Sequence, residues 1–212
     1  MSQFVFVHGW GFDARFWRPL LQQLPLKKSA CLDLGYYNRA QQPDSMDDDY
    51  ILIAHSAGLL WALKNLPKPK SAIAINSFPK FTQSLDFPNG VPQAYLRKMQ
   101  KKWQTEPLIV LQDFQELVRA GYDLNQEIID QAALLTGLQD LNAIDGRPGL
   151  KAWDCPVLAL SAEDDPLIFL PHSQAFKDMG ARFDLRLSPV GGHILPLSQP
   201  QWCAEQIQEF CK

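Results

Sequence analysis

Short, wholly apolar runs alternate with amphipathic stretches through the first third of the chain and again in its last third. Phe4–Val7 is the first run, and it stops at His8-Gly-Trp-Gly11, a glycine-spaced loop. Behind Asp13, a residue suited to capping, Phe16, Trp17, Leu20, Leu21 and Leu24 recur at helical spacing, with Pro19 in the first turns. Ser29–Leu34 reads as a second strand with Asp33 at its carboxyl end. Residues 35–49 turn polar and irregular, with Asn38, Gln41, Gln42, Pro43 and the acidic run Asp47–Asp49, and read as a loop. Tyr50–Ala54 is again apolar at every position, and Leu59, Leu60 and Leu63 then open a helix closed by Pro67. Ser71–Ser77, Pro156–Leu160 and Phe183–Leu187 are the remaining strand patterns, with helices near 172–179 and from Pro200 to Phe210. Strands apolar on both faces, alternating with helices, predict a parallel sheet covered on both sides.

Between Ser77 and Gly146 the rhythm changes. The segment has no convincing strand but three helical stripes: Tyr95, Leu96, Met99 and Trp103; Val110, Phe114, Leu117 and Val118; and Ile128, Ala132 and Leu135. Arg97, Lys98, Lys101 and Lys102 point away from the first stripe. The expected organisation is an α/β core over 1–77 and 146–212 with a helical lid inserted at 78–145.

The 212 residues are 46% hydrophobic and 20% charged, the composition of a globular chain of about one domain. A net charge of -3 and a pI near 5.8 speak against nucleic acid as a partner of the whole surface. No apolar run approaches the roughly 20 residues of a membrane span. The N-terminus lacks a basic region and a cleavage site, so no signal peptide is expected. Cys31, Cys155, Cys203 and Cys211 have neither C-x-x-C nor zinc spacing. They read as free buried thiols of a cytoplasmic protein. His8, His55 and His172 suggest no metal site, and no cofactor is called for.

Candidate chemistry gathers at strand ends. Ala54-His-Ser-Ala-Gly58 lies between a strand and a helix, the context of a nucleophile elbow, with Ser56 at its tip and Ala54 where glycine is usual. Helix N-capping is the competing role for that serine. A serine hydroxyl is a weak nucleophile until an imidazole takes its proton. Asp164 and Asp165 follow the strand ending at Leu160, and His193 follows the last strand in a loop framed by glycines. Asp-Asp-Pro is also a good turn; the order serine, acid, histidine, each after a strand, favours a triad. Carboxyl ends of parallel strands share one edge, so the three groups should converge. The main-chain N–H groups of Trp10 and Ala57 would form the oxyanion hole.

With these residues in place the chain resembles the α/β-hydrolases. More narrowly it resembles the pimeloyl-[acyl-carrier protein] methyl ester esterases of biotin synthesis, the BioH-type family. The likeness rests on His8–Trp17, on Ser56 in its elbow, on Ser77-Phe-Pro-Lys-Phe81 and Leu138–Arg147 at the lid boundaries, and on Asp165 and His193. It implies Ser56 as nucleophile, His193 as base and Asp165 as the orienting acid, with Asp164 as the alternative. It also implies an acyl-contacting segment at Phe114, Leu117 and Val118, beside Trp10. The chain starts directly at the strand before the oxyanion loop, and residues 35–49 are too short and polar for the family's usual helix. The expected fold is therefore a trimmed α/β-hydrolase with a mostly parallel, doubly wound sheet and a helical lid. The implied substrate is an acyl ester on acyl-carrier protein, an acidic partner that Arg97, Lys98, Lys101 and Lys102 could dock, with Arg119 nearby. A general short-chain carboxylesterase or thioesterase, a carbon–carbon hydrolase or lyase of the same fold, and a non-catalytic binding protein are the competing readings.

Overall fold

The computed structural model describes residues 2–37, 40–41, 46–121 and 129–212; Asn38, Gln42, Pro43 and Ile128 lie outside the described residues. Its centre is a sheet of six strands, β1 (Gln3–Val7), β2 (Ser29–Leu32), β3 (Tyr50–His55), β4 (Ser71–Ile75), β5 (Val157–Ala162) and β6 (Phe183–Ser188), in the order β2-β1-β3-β4-β5-β6. Every pairing among them is parallel. The winding reverses between β1 and β3, where Val7 pairs with Ala54. Crevices beyond the carboxyl ends at such a reversal are where ligands of open α/β sheets bind. Here the loops after β1 and β3 flank it.

Alternate residues of each strand feed different cores. Phe6, Ile53, Ile73 and Leu158 belong to one cluster with Phe16, Trp17, Leu20 and Ile207, brought by α1 (Arg18–Gln23), the turn before it and the last helix. Val5, Leu52, Ala72 and Val157 belong to another, with Leu59 and Ala62 of α2 (Gly58–Asn65), then Leu150, Trp153 and Phe176. Asp13 caps a 3-10 turn, Ala14–Trp17, by accepting from the Arg15 N–H, and α1 follows with its proline in the first turn.

Between β4 and β5 lie α3 (Gln93–Trp103), α4 (Pro107–Val118), α5 (Gln131–Ala143) and α6 (Arg147–Trp153). The chain leaves and returns through a neck. Lys80 bridges to Asp145, the Gly146 N–H donates to the Pro79 carbonyl at 2.8 Å, and Arg147 contacts both Asp145 and Asp86 at 2.6 Å. After β5 come α7 (Leu170–Gln174), α8 (Leu195–Ser198, beyond β6) and α9 (Pro200–Phe210). Among the described residues no helix is long and apolar enough to cross a membrane.

Several expectations need correction. The buried face of α5 is Leu134, Leu138 and Leu141, whereas Ala132 is exposed and Leu135 half-buried. Asp130 caps this helix through the Ala133 N–H, and i, i+4, i+7 counted from Leu134 is the face that meets the core. The helix expected near 172–179 is the short α7 followed by a 3-10 turn, Lys177–Met179. All four cysteines are free, yet Cys31 is only half-buried and Cys211 is exposed. Burial still pushes the Cys31 thiol up to about 11.

Leu52 sits mid-strand, fully buried, between sheet and helices. Leu52→Ala should lower unfolding free energy by about 2–5 kcal/mol, as core leucine truncations do, read from urea denaturation midpoints at constant slope.

Candidate active site

Ser56 follows β3 with φ 50°, in the left-handed region that a side chain enters only when its surroundings impose it. The constraints are visible. Its N–H donates to the Ile75 carbonyl at 3.0 Å, and its carbonyl accepts from the buried Ser77 hydroxyl at 2.7 Å. Gly58 allows α2 to start hard against β1: a Cβ there would lie 2.5 Å from the Val7 carbonyl oxygen and 2.6 Å from that of His8. On the other side, a Cβ at Gly9 would lie 2.9 Å from Ser56 Cβ and 2.8 Å from His55 Nδ1. The loop after β1 therefore presses directly on the elbow. Ala54, where a glycine is usual, is wholly buried in β3.

His193 Nε2 stands 2.9 Å from Ser56 Oγ, and its Nδ1 stands 2.9 Å from Asp165 Oδ2. Asp165 is saturated with donors, since Oδ1 takes the N–H groups of Leu167 (2.8 Å) and Ile168 (2.9 Å) while Oδ2 also takes Asn76 Nδ2 at 3.0 Å. Burial alone would raise the Asp165 carboxyl, but the charge and hydrogen bond of His193 and the two amides hold it below the usual carboxylate range. Asp164 plays a different part: it is exposed and accepts the Gly192 N–H at 2.8 Å, bracing the histidine loop. Sequence reasoning brought Ser56, Asp165 and His193 together as the structure does, and missed Asn76.

His55, next to the elbow, also joins the site. Its Nε2–H donates to the His193 carbonyl at 2.8 Å and its ring stacks on Phe16 at 4.3 Å. Burial, then the neighbouring His193, push its pKa well below 6.5, so the ring stays neutral. His172, away from the serine, donates Nε2–H to the Lys80 carbonyl at 2.7 Å, and burial lowers it too.

Trp10 faces the elbow from the β1 loop. Its indole N–H donates to the Leu134 carbonyl of α5 at 2.8 Å, and its ring meets Phe114 and Trp103 edge-on at 5.0 and 5.9 Å. Among the described residues, no acceptor takes the main-chain N–H of Trp10 or of Ala57. Around Ser56 lies a narrow apolar pocket walled by Trp10, Phe81, Leu96, Met99, Phe114 and Leu138, with Tyr95, Leu141 and Leu167 completing it. Leu117 and Val118 do not line this pocket. They border a separate surface cleft with Arg119, Asp164, Gly192 and Ile194, because Phe114 lies on the inner face of α4 and Leu117 turns outward, 37% exposed. Tyr95, Leu96 and Met99 were legible as one helix face, but not as pocket wall. Ser56 is only 7% exposed and His193 not at all, so access to the pocket is tight.

The cations of α3 are unequal. Lys98 and Lys101 are exposed, Lys102 is paired with Asp113 at 2.6 Å, and Arg97 bonds Gln93 at 3.1 Å. Among the described residues, no group of three or more His, Cys, Asp or Glu side chains could hold a metal ion.

A doubly wound parallel sheet with a serine at a strand–helix elbow, joined to histidine and aspartate on later loops, is an arrangement shared by hydrolases. The profile of the alpha/beta hydrolase family matches residues 4–206, and the chain belongs to that family. It is similar to the biotin biosynthesis bifunctional protein BioHC of Cellvibrio japonicus, 24% identical over 234 residues, which cover 97% of this chain and 47% of that protein. The chain thus spans about half the length of that bifunctional relative. It is also similar to the pimeloyl-[acyl-carrier protein] methyl ester esterase of Legionella pneumophila, 25% identical over 226 residues, covering 98% of this chain and 94% of that one. Two solved structures, a bromoperoxidase from Bacillus anthracis and an esterase from Exiguobacterium antarcticum, superpose with a TM-score of 0.82 at 15% identity, covering 99% of this chain and 91% of theirs. At that identity they establish the fold alone.

His55 and His172 are neutral in the native protein, whereas unfolded histidines take up protons as pH falls below 6.5. The unfolded state then binds more protons, so stability falls with pH, by about 1.4 kcal/mol per pH unit for each such group, until its depressed native pKa is reached. His172→Gln, which retains a donor, should remove that contribution just below pH 6.5, measured by urea denaturation across pH 7.5 to 5.

Proposed function

We propose that the chain is a serine carboxylic-ester hydrolase acting on the methyl ester of pimeloyl-acyl-carrier protein. The observation that carries the ester hydrolysis is the relay from Ser56 Oγ through His193 to Asp165, 2.9 Å at each step. His193 takes the serine proton through Nε2 as Oγ attacks the ester carbonyl, and Asp165 holds the ring in the tautomer that leaves Nε2 free. The N–H groups of Trp10 and Ala57 receive the oxyanion, each such donor being worth about 3–4 kcal/mol in comparable sites. His193 then protonates departing methanol, and activates the water that attacks the acyl-enzyme at the carbonyl carbon. Every proton moves within the relay, so the chemistry needs no cofactor.

The finer assignment is supported by the relatives named for that reaction, above all those matched along nearly their whole length. Residues 78–145 act as the lid, with α3, α4 and α5 supplying most of the apolar wall for the acyl chain. Exposed Lys98 and Lys101 offer an acidic carrier protein a docking face. Lys102 and Arg97, already engaged, contribute less.

Ser56→Ala should lower kcat/KM at least about a thousandfold on any ester the wild type cleaves, followed as methanol release from the pimeloyl-carrier methyl ester and as p-nitrophenolate release from p-nitrophenyl butyrate. Cleavage of the second substrate alone would leave a general short-chain carboxylesterase and remove the carrier-bound substrate. Lys98→Ala with Lys101→Ala should raise KM for the carrier-bound ester severalfold at low salt and leave p-nitrophenyl butyrate unchanged. An equal effect on both esters would rule out docking by this face.

A further inference from the structure

We propose that Asn76 is a positioning residue for the Ser56 relay, clamping the Asp165 carboxylate and both ends of the His193 loop to the carboxyl end of β4. The inference builds on the reading of Ser56 as nucleophile. Asn76 directly follows β4, is wholly buried, and anchors itself by donating its N–H to the Leu160 carbonyl of β5 at 2.7 Å. Its side-chain amide is used from both ends. Nδ2 donates to Asp165 Oδ2 at 3.0 Å and to the Gly192 carbonyl at 3.0 Å, while Oδ1 accepts the Leu195 N–H at 3.2 Å. Gly192 and Leu195 bracket His193, so one planar group ties the acid loop and the histidine loop to the sheet.

Two constraints meet in the choice of residue. The backbone is left-handed, φ 45°, which favours glycine, asparagine and aspartate. Glycine would bring no amide, and aspartate would set a second carboxylate against Asp165. Asparagine alone satisfies the backbone and supplies the two donors.

The clamp also divides the charge that His193 feels, because Asp165 Oδ2 serves His193 Nδ1 and Asn76 Nδ2 together. Without Asn76 that oxygen's charge falls more fully on the imidazolium that forms when His193 takes the Ser56 proton. The other groups facing His193 are Ser56, His55 with its ring 5.2 Å away, and Asp164 through the Gly192 N–H. His172 couples by charge to Asp165, and Arg119 borders the cleft beside Gly192. Asn76→Gly leaves all of these in the chain and adds no charge, so a change in the His193 Nδ1 signal of that variant reports the lost bond.

The test uses Asn76→Gly, which keeps the backbone and deletes the amide, and Asn76→Asp, which keeps the shape but replaces the donors by a second carboxylate. For each, kcat and KM on p-nitrophenyl butyrate are measured against pH, with thermal melting and the low-field NMR signal of the His193 Nδ1 proton. Expected are folded variants with kcat down about ten- to a hundredfold, the scale of an ångström's misplacement, and KM within about twofold. The acid limb of the profile and the Nδ1 proton should both shift. Wild-type kcat with an unmoved acid limb and proton would overturn the proposal, as would activity lost only in proportion to unfolded protein. A wild type without Ser56-dependent turnover would instead sink the esterase reading, and the Nδ1 proton, which needs no turnover, would still decide the role of Asn76.

Discussion

A serine held in left-handed backbone is the constraint on which the site depends. The turn at Ser56 persists because three separate contacts over-determine it: the Ile75 carbonyl, the Ser77 hydroxyl and the absence of a side chain at Gly58. Such a conformation costs of order 1–3 kcal/mol and is retained only where the surroundings enforce it. What it secures is direction. The serine oxygen stands clear of both strand and helix, at the sheet reversal, with the β1 loop on one side and the histidine loop on the other. A side chain at Gly58 would push α2 off the Val7 and His8 carbonyls, and one at Gly9 would press on Ser56 itself.

The polar groups beside Ser56 form a small, almost fully paired island in an apolar surround. Asp165 has four donors, His193 uses both ring nitrogens, and Asn76 uses both ends of its amide. Around them the wall is leucine, phenylalanine, methionine and tryptophan. Low local polarity strengthens each of those bonds and penalises any that is left unmade. That is why Asp165 stays ionised although burial works against it, and why neutral His55 can be tolerated beside His193.

The sheet was legible because each central strand is apolar on both faces, a signal that survives without knowledge of its neighbours. Ser56, Asp165 and His193 were legible because each follows such a strand. Asn76 also follows one, but an asparagine at a strand end reads as an ordinary turn residue; its meaning lies in the Gly192 and Leu195 main chain, over a hundred residues away. The stripe on α5 was misread because Ile128 extended the pattern in the wrong register, whereas Leu134, Leu138 and Leu141 are the positions that pack. The short helices α6 and α8 carry too few turns for periodicity to emerge. Leu117 and Val118 show the limit of carrying a segment over from a family: the helix was right, and its rotation placed only Phe114 in the pocket.

Trp10 joins two jobs in one residue. Its side chain is held by α5 through the Leu134 carbonyl and by the rings of Phe114 and Trp103, so three helices of the insertion grip it. On the proposed reaction its main chain serves the oxyanion. Remodelling those helices to admit a longer or bulkier acyl group would therefore disturb the transition state along with the fit. In this scaffold substrate range and turnover share a fulcrum, and an altered preference obtained through the insertion would need a compensating change in the loop after β1.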